Sequence, residues 1–256
     1  MTRLHRFFTT ASMCMCCMAT AAWGQNEPEP MRMEWGVSGG VNQYQEKGLM
    51  QLKGPEIGLH AKLYQGSLMP DVQWEADVLL GQQKYTSEGS GSMTGVTNLE
   101  TRWRAMLPIF NDDPSHSDFW AGLAVHTLWN DLRGTTTFNQ KTYGGYERSA
   151  VQLWLPVRWS GADMWDVDAG VLLYGRHTSK LSQVNTNYSD IVNKQHHGQY
   201  VQASVRLALE NSDTLQPFVR YTHLSDSSIV VMNGAPWVEP ESHRWQIGVI
   251  WKFNAR

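Results

Sequence analysis

Cysteine is nearly missing from this chain, and the three residues present (Cys14, Cys16, Cys17) crowd into its first positions. Past Cys17 there is no thiol to form a disulfide or to hold a metal. Charge is scarce at 18% of residues and nearly balanced, with a formal net charge of −3, which argues against a general nucleic-acid surface. Long apolar runs are missing too. No stretch of 18 consecutive apolar residues exists, so no transmembrane helix is available. A chain of this kind enters a membrane only as a closed barrel, where bonds between strands satisfy every backbone group.

What the chain has in excess is tryptophan, with 12 residues, and alternation. In "VQLWLPVRW" one face reads Val151, Leu153, Leu155, Val157, Trp159. In "DVQWEADVLL" Val72, Trp74, Ala76, Val78 and Leu80 alternate with Gln73, Glu75 and Asp77. "YVQASVRLALE" behaves the same way through Val201, Ala203, Val205, Leu207 and Leu209. A period of two is strand; helical spacing fits none of these windows. Ten such runs can be counted: 33–44, 55–65, 71–85, 96–108, 118–130, 147–159, 166–178, 199–210, 216–226 and 242–253. They outrun the five or six residues usual in soluble strands and match the 9–11 tilted residues of a bilayer crossing.

Connections alternate as well. Short ones ("GSLMP", "NDDPSHS", "GADM", "NSDT") follow even strands, and longer polar ones follow odd strands, notably 131–146, 179–198 and 227–241. Short turns on one side and long loops on the other are the pattern of outer-membrane barrels, with the short side periplasmic. Aromatic residues gather at strand ends. Trp35, Trp74, Phe119, Trp159, Trp165, Trp251 and Phe253 mark one belt, and Tyr44, Tyr85, Trp129, Tyr174 and Tyr221 the other.

The N-terminus has the layout of a secretory signal: basic Arg3 and Arg6, an apolar stretch to Met18, then the small residues of "ATAAWGQ". Cleavage after Ala21, Ala22 or Gly24 is acceptable. The expected organisation is a signal peptide over 1–24, a short periplasmic leader over 25–32 and a barrel over 33–256. The fold class expected is all-β, a transmembrane antiparallel β-barrel of about ten strands.

The last strand, "HRWQIGVIWKF", resembles the terminal strand of bacterial outer-membrane β-barrel proteins, which the barrel-assembly machinery recognises by a final aromatic. Here Asn254, Ala255 and Arg256 follow Phe253. The resemblance implies residence in the outer membrane, with its lipid and the assembly machinery as partners. It names no loop partner, no nucleic acid and no cofactor.

On this register Lys62, Arg102, Arg104, Arg148, Arg158, Arg176, Arg206, Arg220, Arg244 and Lys252 face inward. Glu34, Glu56, Asp71, Glu75, Asp77, Glu100, Asp166, Asp168 and Glu210 face them. Glu75 and Asp77 come near Arg102 and Arg104 on the next strand, and opposite charges across strands attract. A ten-stranded lumen is only slightly wider than one that side chains fill, so a plugged interior is expected. Pro156, inward on the sixth strand, takes one donor from the ladder and points to a local bulge.

Chemistry candidates are few. His196 and His197 are adjacent and point to opposite faces, so no metal site is expected. The ten-stranded surface proteases called omptins need acidic pairs and a histidine at the extracellular mouth, and "NDDP" lies in a periplasmic turn instead. "RYTHLSDSSI" places His223 and Ser225 outward near the outer leaflet. It resembles the His-x-Ser stretch of outer-membrane lipid A deacylases and of outer-membrane phospholipase A. The resemblance implies His223 as base and Ser225 as nucleophile, with Glu239 or Glu241 orienting the imidazole. Asp226 stands where those families have Asn, and a carboxylate there disfavours an oxyanion. Three functions stay open: a plugged barrel with binding loops, a serine esterase acting on lipid, and a small pore.

Overall fold

Residues that alternate apolar and polar must show one face to each side of a sheet, and the chain resolves that demand by closing the sheet on itself. The computed structural model describes residues 32–65, 72–110, 119–161, 164–209 and 213–254. The expected signal peptide, the leader up to residue 31 and most of the short turns lie outside these residues, as do Asp71 and Glu210.

Ten long strands form the wall: β1 (Arg32–Glu46), β2 (Met50–Gln65), β3 (Val72–Ser87), β4 (Gly91–Phe110) and β5 (Phe119–Asp131), then β6 (Glu147–Gly161), β7 (Trp165–Ser179), β8 (Gly198–Val205), β9 (Thr214–Leu224) and β10 (Ser242–Asn254). Every strand pairs antiparallel with its neighbours in the chain, and β10 pairs with β1 through Val41↔Ile247. The sheet has no open edge there, which is what a bilayer requires of strands. Outward positions are apolar: Ile57, Leu59, Leu80, Leu123, Val151, Val171, Ile247 and Val249 are all exposed, Ile57 at 64%. No described helix is long and apolar enough to cross a membrane.

One end of the barrel holds the first residues of β1 and the last of β10; the other carries the long connections. Strands β1 to β7 run 13–20 residues and outreach a bilayer at the loop end. The connections after β1 and β3, expected to be longer loops, are tight turns at 47–49 and 88–90 because the strands continue farther than their alternation suggests. The three long connections are themselves ordered. Thr135–Phe138 pairs with Lys141–Gly144, and Val230–Met232 with Ala235–Trp237. Both hairpins turn on two consecutive residues of positive φ, Asn139 (49°) with Gln140 (63°) and Asn233 (54°) with Gly234 (76°), as a type I′ turn requires. Ile191–Gln195 adds a short strand beside the loop end of β7.

Inside, charges pair in a layer. Glu75 lies opposite Arg104, and Asp77 opposite Arg102, across β3 and β4 as expected. Arg104 reaches Glu75 (2.8 Å), Asp77 (3.2 Å) and Asp168 (2.9 Å). Arg158 bonds Asp168 at 2.8 Å and Glu75 at 2.9 Å, tying β6 and β7 to β3 across the lumen. Arg102 turns to Glu100 (2.7 Å), and Arg244 holds Glu100 (2.6 Å) and Glu56 (3.3 Å). A residual cavity of about 70 Å³ remains beside this layer, room for a few waters.

Above the charges sits an apolar layer that alternation alone does not announce. Ala124, Trp154, Leu172 and Tyr200 are buried together, with the rings of Trp154 and Tyr200 5.4 Å apart and edge-on. Tyr200 also donates to Asp168 (2.7 Å), joining the two layers. It fits because Gly170 has no side chain: a Cβ there would stand 2.5 Å from the Tyr200 ring. Higher still, Leu132 of the loop after β5 packs on Leu52 and Val96.

Three expectations need correction. Arg176 faces outward, because Leu153 pairs with Tyr174 while Trp154 pairs with Leu172; the extra residue, Leu173, is a β-bulge that reverses the parity of β7 beyond it. Gly175, His177 and Ser179 therefore take the inward places. The bulge expected at Pro156 thus lies on the facing strand. At Pro156 itself the pairing with β5 lapses between Ala121↔Val157 and Ala124↔Trp154, so the absent N–H coincides with a gap. Finally, Tyr44 and Tyr85 leave the loop-end belt. Tyr44 donates inward to Glu46 (2.9 Å), and Tyr85 packs against the Leu52 cluster.

Candidate functional site

The loop following β9 has two carboxylates two residues apart, and the barrel wall separates them. Glu239 turns inward over the lumen, where it meets Arg148 and stands 3.1 Å from His177 Nδ1. Arg148 also holds Glu46 at 2.7 Å and donates to the phenol oxygen of Tyr44 at 3.2 Å. Burial alone would raise the Glu239 carboxyl, but Arg148 and His177 outweigh it and hold the group down at about 2. An ion cluster made from β1, β6, β7 and the loop thus stands at this end of the lumen.

Glu241 turns outward. Its Oε1 lies 2.8 Å from His223 Nε2 and 3.7 Å from His243 Nε2. His223 and His243 are direct partners across β9 and β10, on the face that side-chain alternation assigns to the exterior. Their rings stack 5.0 Å apart at 17°. Beneath them the next outward pair, Tyr221 and Trp245, packs at 4.7 Å, and Tyr221 Oη lies 2.7 Å from His243 Nδ1. The hydrogen bond from His223 is the main reason the Glu241 carboxyl sits below its usual range.

The loop is held in place by its neighbours. Asp226 accepts the backbone N–H of Glu241 (2.6 Å), which sets that residue beside His223. Ser227 Oγ accepts the N–H of Glu239 (2.8 Å). Asn193 donates to the carbonyls of Ser228 (2.8 Å) and Trp237 (3.2 Å), and Gln195 to the carbonyl of Ser225 (2.8 Å). A short strand beside β7 thus anchors the loop that carries the site.

His223 and Ser225 are where the sequence puts them, high at the loop end. Of the two acids left open, Glu241 meets His223, while Glu239 is engaged inside the mouth. Ser225 Oγ has no hydrogen-bond partner among the described residues, and Ser225 N–H donates to His197 O (3.1 Å). His243 and the role of Asp226 are absent from the sequence reading. Only the register of β9 against β10 brings His243 opposite His223, and the 17 residues joining the two strands hide that register.

No family model matches the chain, and no curated protein matches it in sequence. Solved structures of similar shape are outer-membrane proteins. The outer membrane protease OmpT from Escherichia coli aligns over 92% of this chain and 99% of its own, with 9% identity and a TM-score of 0.46. The beta domain of the Bordetella autotransporter BrkA aligns over 88% and 99%, with 10% identity and a TM-score of 0.49. The Neisserial surface protein A (NspA) aligns over 89% and 100%, with 10% identity and a TM-score of 0.38.

Proposed function

We propose that the chain is a sealed barrel of a Gram-negative outer membrane, exported by its N-terminal signal, whose work is done at the extracellular rim. Its partners on this reading are the surrounding outer-membrane lipid, the barrel-assembly machinery during biogenesis, and a binding partner met by the loops. The observation that carries the reading is the lumen. Arg158 and Arg104 join Glu75 to Asp168 across it, and Trp154, Leu172 and Tyr200 fill the space above.

A hydrated ion crossing such a lumen must part buried ion pairs or displace packed rings. Breaking one buried pair leaves a charge uncompensated at a cost of about 3–5 kcal/mol, a steep barrier to conduction. The ordered loops support the other half of the proposal. The 225–241 loop is bonded to the strand Ile191–Gln195, so it offers a preformed surface. Ile229 and Val231, beside and within its hairpin, are 68% and 69% exposed, an apolar offering at the rim.

The test is reconstitution of the purified barrel into planar bilayers. Steady current should be absent or very small, while surface labelling of intact cells should reach the 132–146 and 225–241 loops. Steady conductance of the size of a general porin overturns the sealed lumen and makes the chain a pore.

A further inference from the structure

The rim holds a cluster that the sealed-barrel reading does not use. One ligand atom from each of His223, Glu241 and His243 lies within 4.8 Å of the others. Tetrahedral zinc, with ligand bonds of about 2.0–2.2 Å, places its donors roughly 3.3 Å apart. The two distances from Glu241 Oε1, 2.8 Å and 3.7 Å, bracket that spacing, and the two stacked imidazoles must turn their Nε2 atoms toward each other to share one ion.

We propose that His223, His243 and Glu241 form a surface site for one divalent transition-metal ion of the zinc class, with its fourth position open to the outside.

The donor set suits the metal. Two imidazoles and one carboxylate are borderline ligands that select zinc-class ions over magnesium or calcium, which prefer all-oxygen sites. Both histidines stand on rigid neighbouring strands at one paired position, where side chains are close enough to share a ligand. The supporting contacts are those a metal site needs. Tyr221 Oη occupies His243 Nδ1, leaving Nε2 as the donor toward the cluster. Asp226 holds the backbone of Glu241, so the carboxylate is presented between the rings and does not wander with its loop. Asp226 thereby has a structural role that the esterase resemblance leaves out.

His223 is 22%, His243 34% and Glu241 48% exposed in their side chains, so an ion arriving from outside reaches all three without opening the barrel. The site is independent of the lumen, and either can fail without the other.

The experiment titrates zinc chloride into the full folded chain in detergent micelles, after chelator treatment, by calorimetry. Saturable binding of one equivalent is expected. His223→Asn, His243→Asn and Glu241→Gln should each weaken it by roughly a hundredfold, since loss of even an outer-shell partner costs about 10–100-fold. Ser225→Ala and His196→Ala should leave it unchanged, and heat-modifiable gel migration confirms that each variant is folded. X-ray absorption on the zinc-loaded wild-type chain gives a readout that needs no variant: a first shell containing two imidazoles. No saturable binding, binding that survives His223→Asn and His243→Asn, or a shell of oxygen alone overturns the site.

Discussion

Glu239 and Glu241 stand on opposite sides of the barrel wall, although one residue separates them in sequence: the first is held by Arg148 inside the mouth, the second by His223 outside. One loop therefore contributes a carboxylate to the lumen and another to the rim.

For Glu239 the dependence on pH has a definite sign. Its carboxyl is held near 2 when folded against an ordinary 4.5, so its contribution is fully present above 4.5 and is lost as pH falls toward 2. Cleavage of the 225–241 loop by pepsin should rise across that window in the wild-type chain. Glu239→Gln should show raised cleavage already at its upper limit and little further change, with a stability loss of about 1–3 kcal/mol for the weakened Arg148. A variant with the wild-type profile shows that the carboxylate does not hold the loop.

Trp154→Ala removes the largest buried side chain of the lumen, next to Tyr200 and Leu172. A tryptophan lost from a packed site costs about 3–5 kcal/mol, part of it for the cavity left behind. Urea unfolding in detergent should report that loss. On the sealed-barrel proposal, current through the variant should stay near the wild-type level, because the charged layer below is intact.

How much of this was readable in the residues depends on what parity can carry. The ten strands, their outward faces and the Glu75–Arg104 pairing follow from a period of two, and all are present. Parity fails wherever one residue is inserted. Leu173 does this on β7, so Arg176 was placed inside and His177 missed. Trp154 and Tyr200 carry an inward parity in plain view, yet their apolar character hid them among lipid-facing neighbours. "MNGA" is a type I′ turn signal inside the loop after β9 that the reading passed over. The pairing of His223 with His243 was out of reach, since a long loop leaves strand register undetermined.

Arg158→Ala tests the charged layer. It leaves Glu75, Asp77 and Asp168 around Arg104, three buried carboxylates on one guanidinium. The cost should be about 3–5 kcal/mol, seen as a lowered urea midpoint. Replacing Glu75 by Gln and Asp168 by Asn in the same chain should restore part of it, because the uncompensated charges are gone. No rescue in the triple variant means that Arg158 acts by packing and not by charge.

The last prediction concerns the esterase resemblance at His223 and Ser225. Acyl transfer needs the serine hydroxyl on one imidazole nitrogen, an acid on the other, and free N–H groups aimed at the oxyanion. Here His223 Nε2 is taken by Glu241, and Ser225 Oγ has no hydrogen-bond partner among the described residues. The nearby N–H groups are spent as well: that of Ser225 on His197 O (3.1 Å) and that of Glu241 on Asp226 (2.6 Å). The Asp226 carboxylate beside the serine adds a negative charge where a developing oxyanion would have to sit. Ser225→Ala should therefore leave the acyl pattern of lipid A and phospholipid unchanged by mass spectrometry in cells that assemble the barrel. Disappearance of deacylated species in that variant alone would instead make the rim a lipid hydrolase, with Glu241 rather than Glu239 orienting the histidine.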